Sequence, residues 1–169
     1  MCPTPKRLVV VNTSPLLYLH LVGHLELLKK LYSQIVVPPA VARGLDIGAE
    51  RGVDIPDLSL MGWVRVVSLR SDALIPAVTD LGSGEAEVIG LGRENQVSLV
   101  IIEDRLGRRI AKICGLAVTG TIGVLLKAKQ ERHLPAIAPV IQALQGAGLW
   151  LSEELVSVIL RKSEEGGLL

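Results

Sequence analysis

Polar residues stand in this sequence where short β-branched runs end. Asn12 follows RLVVV, Glu103 and Asp104 follow SLVII, and Thr119 and Thr121 close or follow AVT. Glu85 arrives differently. At about 100° per residue it lines up with Val88, Ile89 and Gly92 on one helical face, while Glu87 and Glu94 point to the opposite side. A carboxylate on an apolar face is costly unless it is paired, protonated or bound to metal. Asp104 and Glu85 supply hard anionic oxygens and Asn12 a neutral carbonyl oxygen. That set suits Mg2+ or Mn2+, which take few protein ligands and keep several waters. A cation held this way orients water and stabilises the charge that develops as a phosphodiester is cleaved.

Each of these residues also has a simpler role open to it. Asp104 can N-cap a helix beginning at Arg105, Asn12 or Ser14 can cap the first helix, and Glu85 can be a first-turn carboxylate favoured by the helix dipole. Their convergence at one sheet edge is what favours the metal. Beside Asp104, the residues Arg105, Arg108, Arg109 and Lys112 fall at i, i+3, i+4 and i+7, with Leu106, Ile110 and Ile113 on another face. The stripe is either an ordinary solvated face or a phosphate-contacting one, since Arg binds phosphate bidentately. Other signals are weak. His20 and His24 flank Gly23 without an HExxH pattern, and Gly82-Ser83-Gly84 lacks the Lys of a phosphate-binding loop. No Ser/His/Asp arrangement or reactive cysteine stands out.

These residues need elements to position them. The alternation of β-branched runs with helical patterns predicts βαβ units and a parallel sheet, whose site lies beyond the carboxyl ends of the strands. Arg7–Val11 is the first strand, and Ser14 as cap with Pro15 as first helical residue starts a helix through LLYLHLV, followed by another through LELLKKLY. Ile35–Val37 is a strand and Pro38 to about Leu45 a helix, whereas Asp46 to Leu60 reads as a mobile loop. Trp63–Val67 is an edge strand and Ser68–Gly82 irregular. Glu85–Glu94 is helical, Ser98–Ile102 a buried strand, and Arg105–Cys114 a helix stopped by Gly115. Ala117–Thr119 is a short strand, Thr121 caps a helix to about Arg132, Pro135–Leu144 is helical, and Ser152 with Glu153 and Glu154 opens a last helix. With no repeat and no linker, residues 1–169 are expected to form one domain with its core in about residues 7–160 and both Cys2 and the last seven positions frayed.

Composition narrows the chemistry further. Of 169 residues 49% are hydrophobic, yet only two Trp and two Tyr are present and no Phe, which argues against modules that stack bases on aromatic rings. Eighteen Lys and Arg against seventeen Asp and Glu leave +1, so no global field draws the chain to a polyanion. No run of roughly 18 apolar residues exists, the length a bilayer span needs. The longest charge-free stretch, Leu134–Ser152, is broken by Pro135, Pro139, Gly146 and Gly148. Two cysteines make no disulfide framework and the start carries no signal-peptide pattern, which predicts the reducing cytoplasm. The apolar surplus, concentrated in LLYLHLV and LELLKKLY, predicts a symmetric homodimer.

Four segments in order, VVVNTSPLLYL, GSGEAEVIGLG, IIEDRLGRRIA and GLAVTGTIGVLLKAK, together resemble the PIN-domain proteins, most nearly a prokaryotic PIN-like branch with the NTSPL opening; the likeness covers roughly residues 7–160. The resemblance implies a three-layer α/β fold with a central, mainly parallel sheet flanked by helices, a ribonuclease site using Mg2+ or Mn2+, and RNA as substrate. Many relatives are toxins held in check by a small antitoxin protein. By position, the family's acids fall on Asn12, Glu85 and Asp104, with Glu103 as the alternative for the last, and Thr121 lies where a polar site residue is common. Two departures stand out: Asn12 replaces the usual Asp, as the NTSPL branch commonly does, and the early-helix Glu should fall near Arg43 or Gly44, where no carboxylate stands. Fewer anionic ligands mean weaker binding of a hard cation. The resemblance therefore carries two readings, an endoribonuclease with an incomplete acidic site and a catalytically weak or inactive protein that binds nucleic acid or a partner. A phosphoacceptor receiver domain would need paired acids after its first strand and Lys after its fifth; Asn12-Thr13 and Thr119-Gly120 stand there instead.

Overall fold

Strands of three or four residues rich in Val and Ile, with no alternation of polar positions, are suited to burial on both faces of a parallel sheet. The computed structural model, which describes residues 8–95 and 98–165, forms that sheet. Its strands are β1 (Leu8–Val11), β2 (Ile35–Val37), β3 (Val64–Val66), β4 (Ser98–Ile101) and β5 (Ala117–Thr119), all parallel and ordered β3-β2-β1-β4-β5. Val9 to Val11, Ile35 to Val37, Val100 and Ile101 are all buried. The flanking helices are α1 (Thr13–Leu21), α2 (Glu26–Tyr32), α3 (Pro39–Glu50), α4 (Ser83–Asn95), α5 (Arg105–Ile113), α6 (Thr121–Gln130), α7 (Ala138–Gly146) and α8 (Glu153–Lys162). The sheet lies between helical layers, the three-layer α/β arrangement expected. No described helix is long and apolar enough to cross a membrane.

The strand order fixes where a site can form. From β1 the chain winds outward to β2 and β3, then returns to place β4 on β1's other side, so the winding reverses between β1 and β4. Their register pairs Val11 with Ile101, and the ladder continues one step as the Asn12 amide donates to the Ile101 carbonyl at 3.0 Å. A reversal of this kind leaves a crevice beyond the carboxyl ends of the two strands. Asn12, Glu103 and Asp104 follow those ends directly.

Several boundaries differ from the sequence-based expectations for physical reasons. Residues 46–50 belong to α3 rather than to a loop, because the chain after α3 folds back on it: a Cβ at Gly48 would meet Ile55 at 3.5 Å. The remaining stretch has a 3₁₀ turn at Leu58–Leu60, capped by the Asp57 carboxylate accepting from Ser59, and a second at Asp72–Leu74. Helix α1 starts one residue before Ser14, with Asn12 at the cap position and its side chain engaged elsewhere. Gly120, not Thr121, is the cap residue of α6. On α5, Gly107 and Ala111 are the buried residues, and Ile113, expected on the apolar face, is 71% exposed. Leu16, Leu19, Leu27 and Leu28 turn into the chain's own core, leaving Leu21 as the exposed large apolar residue of α1 and α2.

The expected fraying of the C-terminus is also corrected within the described residues. Glu165 is buried at 4% exposure, accepts from the amides of Ile137 and Ala138 ahead of α7, and pairs with Lys129 of α6. Burial alone would raise its carboxyl pKa, but the bonds from Lys129 and the two amides outweigh that and hold it below the ordinary value. The expected starts and stops at Ser152, whose hydroxyl accepts from Leu155, and at Gly115, with φ +79°, are both present. Arg7, Cys2 and residues 166–169 lie outside the described residues.

Candidate functional site

Asn12 is 2% exposed, and its side chain does not cap α1 because it crosses to α4. Its Nδ2 donates to Glu85 Oε1 at 2.7 Å. Its Oδ1 is buried with no hydrogen-bond partner among the described residues. A buried carbonyl oxygen without a donor costs about 1–3 kcal/mol, so an orphan of this kind calls for a partner such as a water or a cation.

Glycines make this contact possible. A Cβ at Gly84 would lie 2.8 Å from Asn12 Oδ1, and one at Gly107 would lie 2.9 Å from Glu85 Cγ. Bare backbone at these two positions lets the first turns of α4 and α5 close over Asn12 and Glu85. Thr13 joins the same cluster, its Oγ1 lying 3.0 Å from a Cβ built on Gly44 of α3. Sequence reasoning did not single out Thr13; the two glycines that meet around it, Gly44 and Gly84, come from different helices, so no local spacing reveals it.

The acids after β4 diverge. Asp104 is exposed and N-caps α5, its Oδ2 accepting from the Gly107 amide at 2.7 Å. Gly107 thus neighbours both Asp104 and Glu85. Glu103 turns toward α6, accepting from the amide of Thr121 at 3.1 Å and from its Oγ1 at 2.9 Å. Thr121 is fully buried. The Thr121 hydroxyl is engaged by Glu103, and Ser14 is half-buried in the first turn of α1. Among the described residues no group of three or more His, Cys, Asp or Glu side chains is arranged to hold a metal. Asn12 and Glu85 meet directly, and Asp104 is linked to them through Gly107, which it caps and which packs on Glu85.

On the other side of α4, Glu87 reaches the start of α3. Its carboxylate accepts from the Ala40 amide at 2.9 Å and lies 3.4 Å from Arg43. Like an N-cap, it satisfies an amide of the first turn of α3 from a neighbouring helix. Arg43 is thereby drawn to Glu87.

On α5, Arg105, Arg109 and Lys112 are exposed, while Arg108 is half-buried and its Nη1 donates to the Ile102 carbonyl at 3.1 Å. That guanidinium also packs against Gly120, where a Cβ would meet it at 2.5 Å. Arg108 is thus partly committed to tying α5 to the end of β4.

Comparison with known proteins agrees with this geometry. A family model described as a PIN domain matches residues 8–165. A solved PilT N-terminus domain protein from the hyperthermophilic archaeon Sulfolobus solfataricus is similar, with 25% identity and a TM-score of 0.52 over 72% of this chain and 92% of that one. None of the curated proteins matches. A parallel sheet ordered β3-β2-β1-β4-β5, with Asn12, Glu85 and Asp104 at its point of reversal and a family match over nearly the whole length, leads to one assignment: the chain belongs to the PIN-domain family.

Proposed function

We propose that the chain is a Mg2+- or Mn2+-dependent endoribonuclease whose metal is held by Glu85, Asp104 and Asn12. The observation that carries this reading is the orphaned, buried Asn12 Oδ1 beside the Glu85 carboxylate at the point where the sheet reverses. The donor set fits a hard cation, since all three donors are oxygens and two of them are anionic. When bound, the cation would orient water and stabilise charge developing on a phosphodiester. The chain's own part is to hold the donors. The Asn12 amide fixes one oxygen of Glu85, the α5 backbone fixes one oxygen of Asp104, and Glu103 locks Thr121 and the start of α6 beside them. Ser14 would serve as an auxiliary polar group on the α1 side.

The family resemblance extends the proposal: the nuclease would act on cytoplasmic RNA as the toxin of a toxin–antitoxin pair, blocked by a small antitoxin protein and working as a homodimer. The test is Mn2+-dependent cleavage of structured and single-stranded RNA by the wild-type protein, Glu85→Gln and Asp104→Asn. Cleavage by the wild type alone is expected, and equal activity in all three would sink the assignment.

A second reading has its own support. No third carboxylate joins Glu85 and Asp104 among the described residues, and Arg43 stands where an acid is expected, paired with Glu87. In that reading the protein binds nucleic acid or a partner without cutting. A wild-type melting midpoint that Mn2+ leaves unchanged would favour it, because a ligand that binds the native state must raise the midpoint.

A further inference from the structure

Two basic clefts are open on this molecule, and their surroundings distinguish them. One, of about 840 Å³, lies between α6 and α8 and is lined by Lys127, Lys129, Arg132 and Lys162. Its charge is largely answered. Lys127 lies 4.0 Å from Glu131, Lys129 is paired with buried Glu165, and Glu164 lines the same wall. The cleft also sits at the carboxyl ends of both helices, whose partial negative charge repels anions.

The second, of about 490 Å³, runs along α5 and is lined only by Arg105, Arg108, Arg109, Lys112 and Ile113. No carboxylate lines it. Among the described residues no ion pair engages Arg105, Arg109 or Lys112. Arg105, Arg109 and Lys112, with no acid paired to them among the described residues, repel one another, an arrangement that a polyanion relieves. The row also begins one residue after Asp104, the cap of the same helix.

From these observations we infer that the outer face of α5 is a phosphate track for one strand of RNA, leading away from Asp104. The inference rests on the nuclease reading for its direction, but not for its existence. From Arg105 to Lys112 the helix rises about 10 Å. A stacked strand carries a charge every ~3.4 Å, so the face spans about three phosphates. Arg105, Arg109 and Lys112 are the groups free to meet them, with Arg108 held back by the Ile102 carbonyl. Ile113, 71% exposed at the far end, offers apolar surface and no hydrogen-bonding group. Contacts of this kind hold the backbone and do not read bases, so the track is indifferent to sequence.

The experiment is fluorescence anisotropy of labelled oligouridylate in EDTA, where metal-dependent cleavage is blocked, across a salt series. Three phosphate contacts predict a slope of log affinity against log salt of about −2, at ~0.7 per phosphate for a single strand. Arg109→Gln and Lys112→Gln should each flatten it by about 0.7. Lys127→Gln and Lys162→Gln, on the α6–α8 cleft, should leave it unchanged. Both α5 residues are exposed, so the variants keep the fold, and coincident melting curves verify this. A slope unaffected by the α5 changes, or lowered as much by the α6–α8 pair, overturns the track. Duplex RNA that binds more tightly than oligouridylate overturns its assignment to a single strand. Cleavage that fails in Mn2+ while these slopes hold refutes the nuclease and leaves the track; the reverse result refutes the track alone.

Discussion

Asn12→Asp is the most revealing single change, because it replaces a donor facing Glu85 Oε1 at 2.7 Å with a second carboxylate. A hydrogen bond to a charged acceptor contributes about 1.5–3 kcal/mol, and that is lost. Two unit charges at about 4 Å repel by ~4 kcal/mol at an effective dielectric of ~20. Asn12 is 2% exposed but Glu85 is only half-buried, so solvent screens part of that repulsion. A total of about 3–5 kcal/mol follows, which at ~2–4 °C per kcal/mol for a chain of this size lowers Tm by roughly 10 °C. The assay is thermal melting in EDTA at neutral pH, with Asn12→Ala as the charge-free control. The Ala variant loses only the bond and its Tm falls less. Mn2+ should then raise the midpoint of the Asp variant well beyond any rise in the wild type, since a cation between two carboxylates turns repulsion into attraction. An Asp variant that melts with the wild type in EDTA would refute the idea that the amide is what makes the buried pairing tolerable. A destabilised variant indifferent to Mn2+ and Mg2+ would refute the metal.

Three other outcomes are expected. Glu165 has a lowered folded-state pKa, so its stabilisation is present above its ordinary value of 4.5 and fades as pH falls below it; Glu165→Gln should lose about 2 kcal/mol at pH 7 and flatten the acid limb of a Tm-against-pH curve. Gly84→Ala, although Ala is the better helix former by about 1 kcal/mol, should destabilise, because the added Cβ meets Asn12 Oδ1 at 2.8 Å; Gly146→Ala in α7, with open space around it, should be neutral or stabilising in the same denaturant titration. Thr121→Val keeps the shape but removes the donor to Glu103, and chemical denaturation should report a loss of about 1 kcal/mol.

The backbone plan was legible in the sequence because it rests on local signals. The run LVVV ends at Asn12, IVV is stopped by Pro38 and Pro39, and Asp104 caps α5 as its position beside Arg105 requires. What the sequence hid is long-range. Thr121 has the type and place of a cap, yet its hydroxyl serves Glu103, eighteen residues away in the chain. Glu165 reads as a polar end residue, and only the fold brings Lys129 and the amides of Ile137 and Ala138 to it. Residues 46–50 carry Asp and Gly, which locally speak for a loop, but the helix continues through them where the following chain, at Val53 and Ile55, folds back on Gly48. At the candidate site, the helical wheel placed Glu85 inward, whereas its bond to Asn12 depends on α4 meeting the end of β1.

The position of β1 at the centre of the sheet has a consequence for synthesis. Its outer neighbour β2 follows within thirty residues, but its other neighbour β4 pairs Leu8 with Ser98, so half of its hydrogen-bonding capacity waits until about a hundred residues have been translated. Until then a growing chain exposes the LVVV edge, a segment prone to wrong pairing. The seam between β1 and β4 is also where Asn12, after β1, meets Glu85, with Asp104 following β4 close by in the chain. A ribosome that stops between residues 85 and 98 releases a fragment that carries Asn12 and Glu85 but lacks both β4 and Asp104.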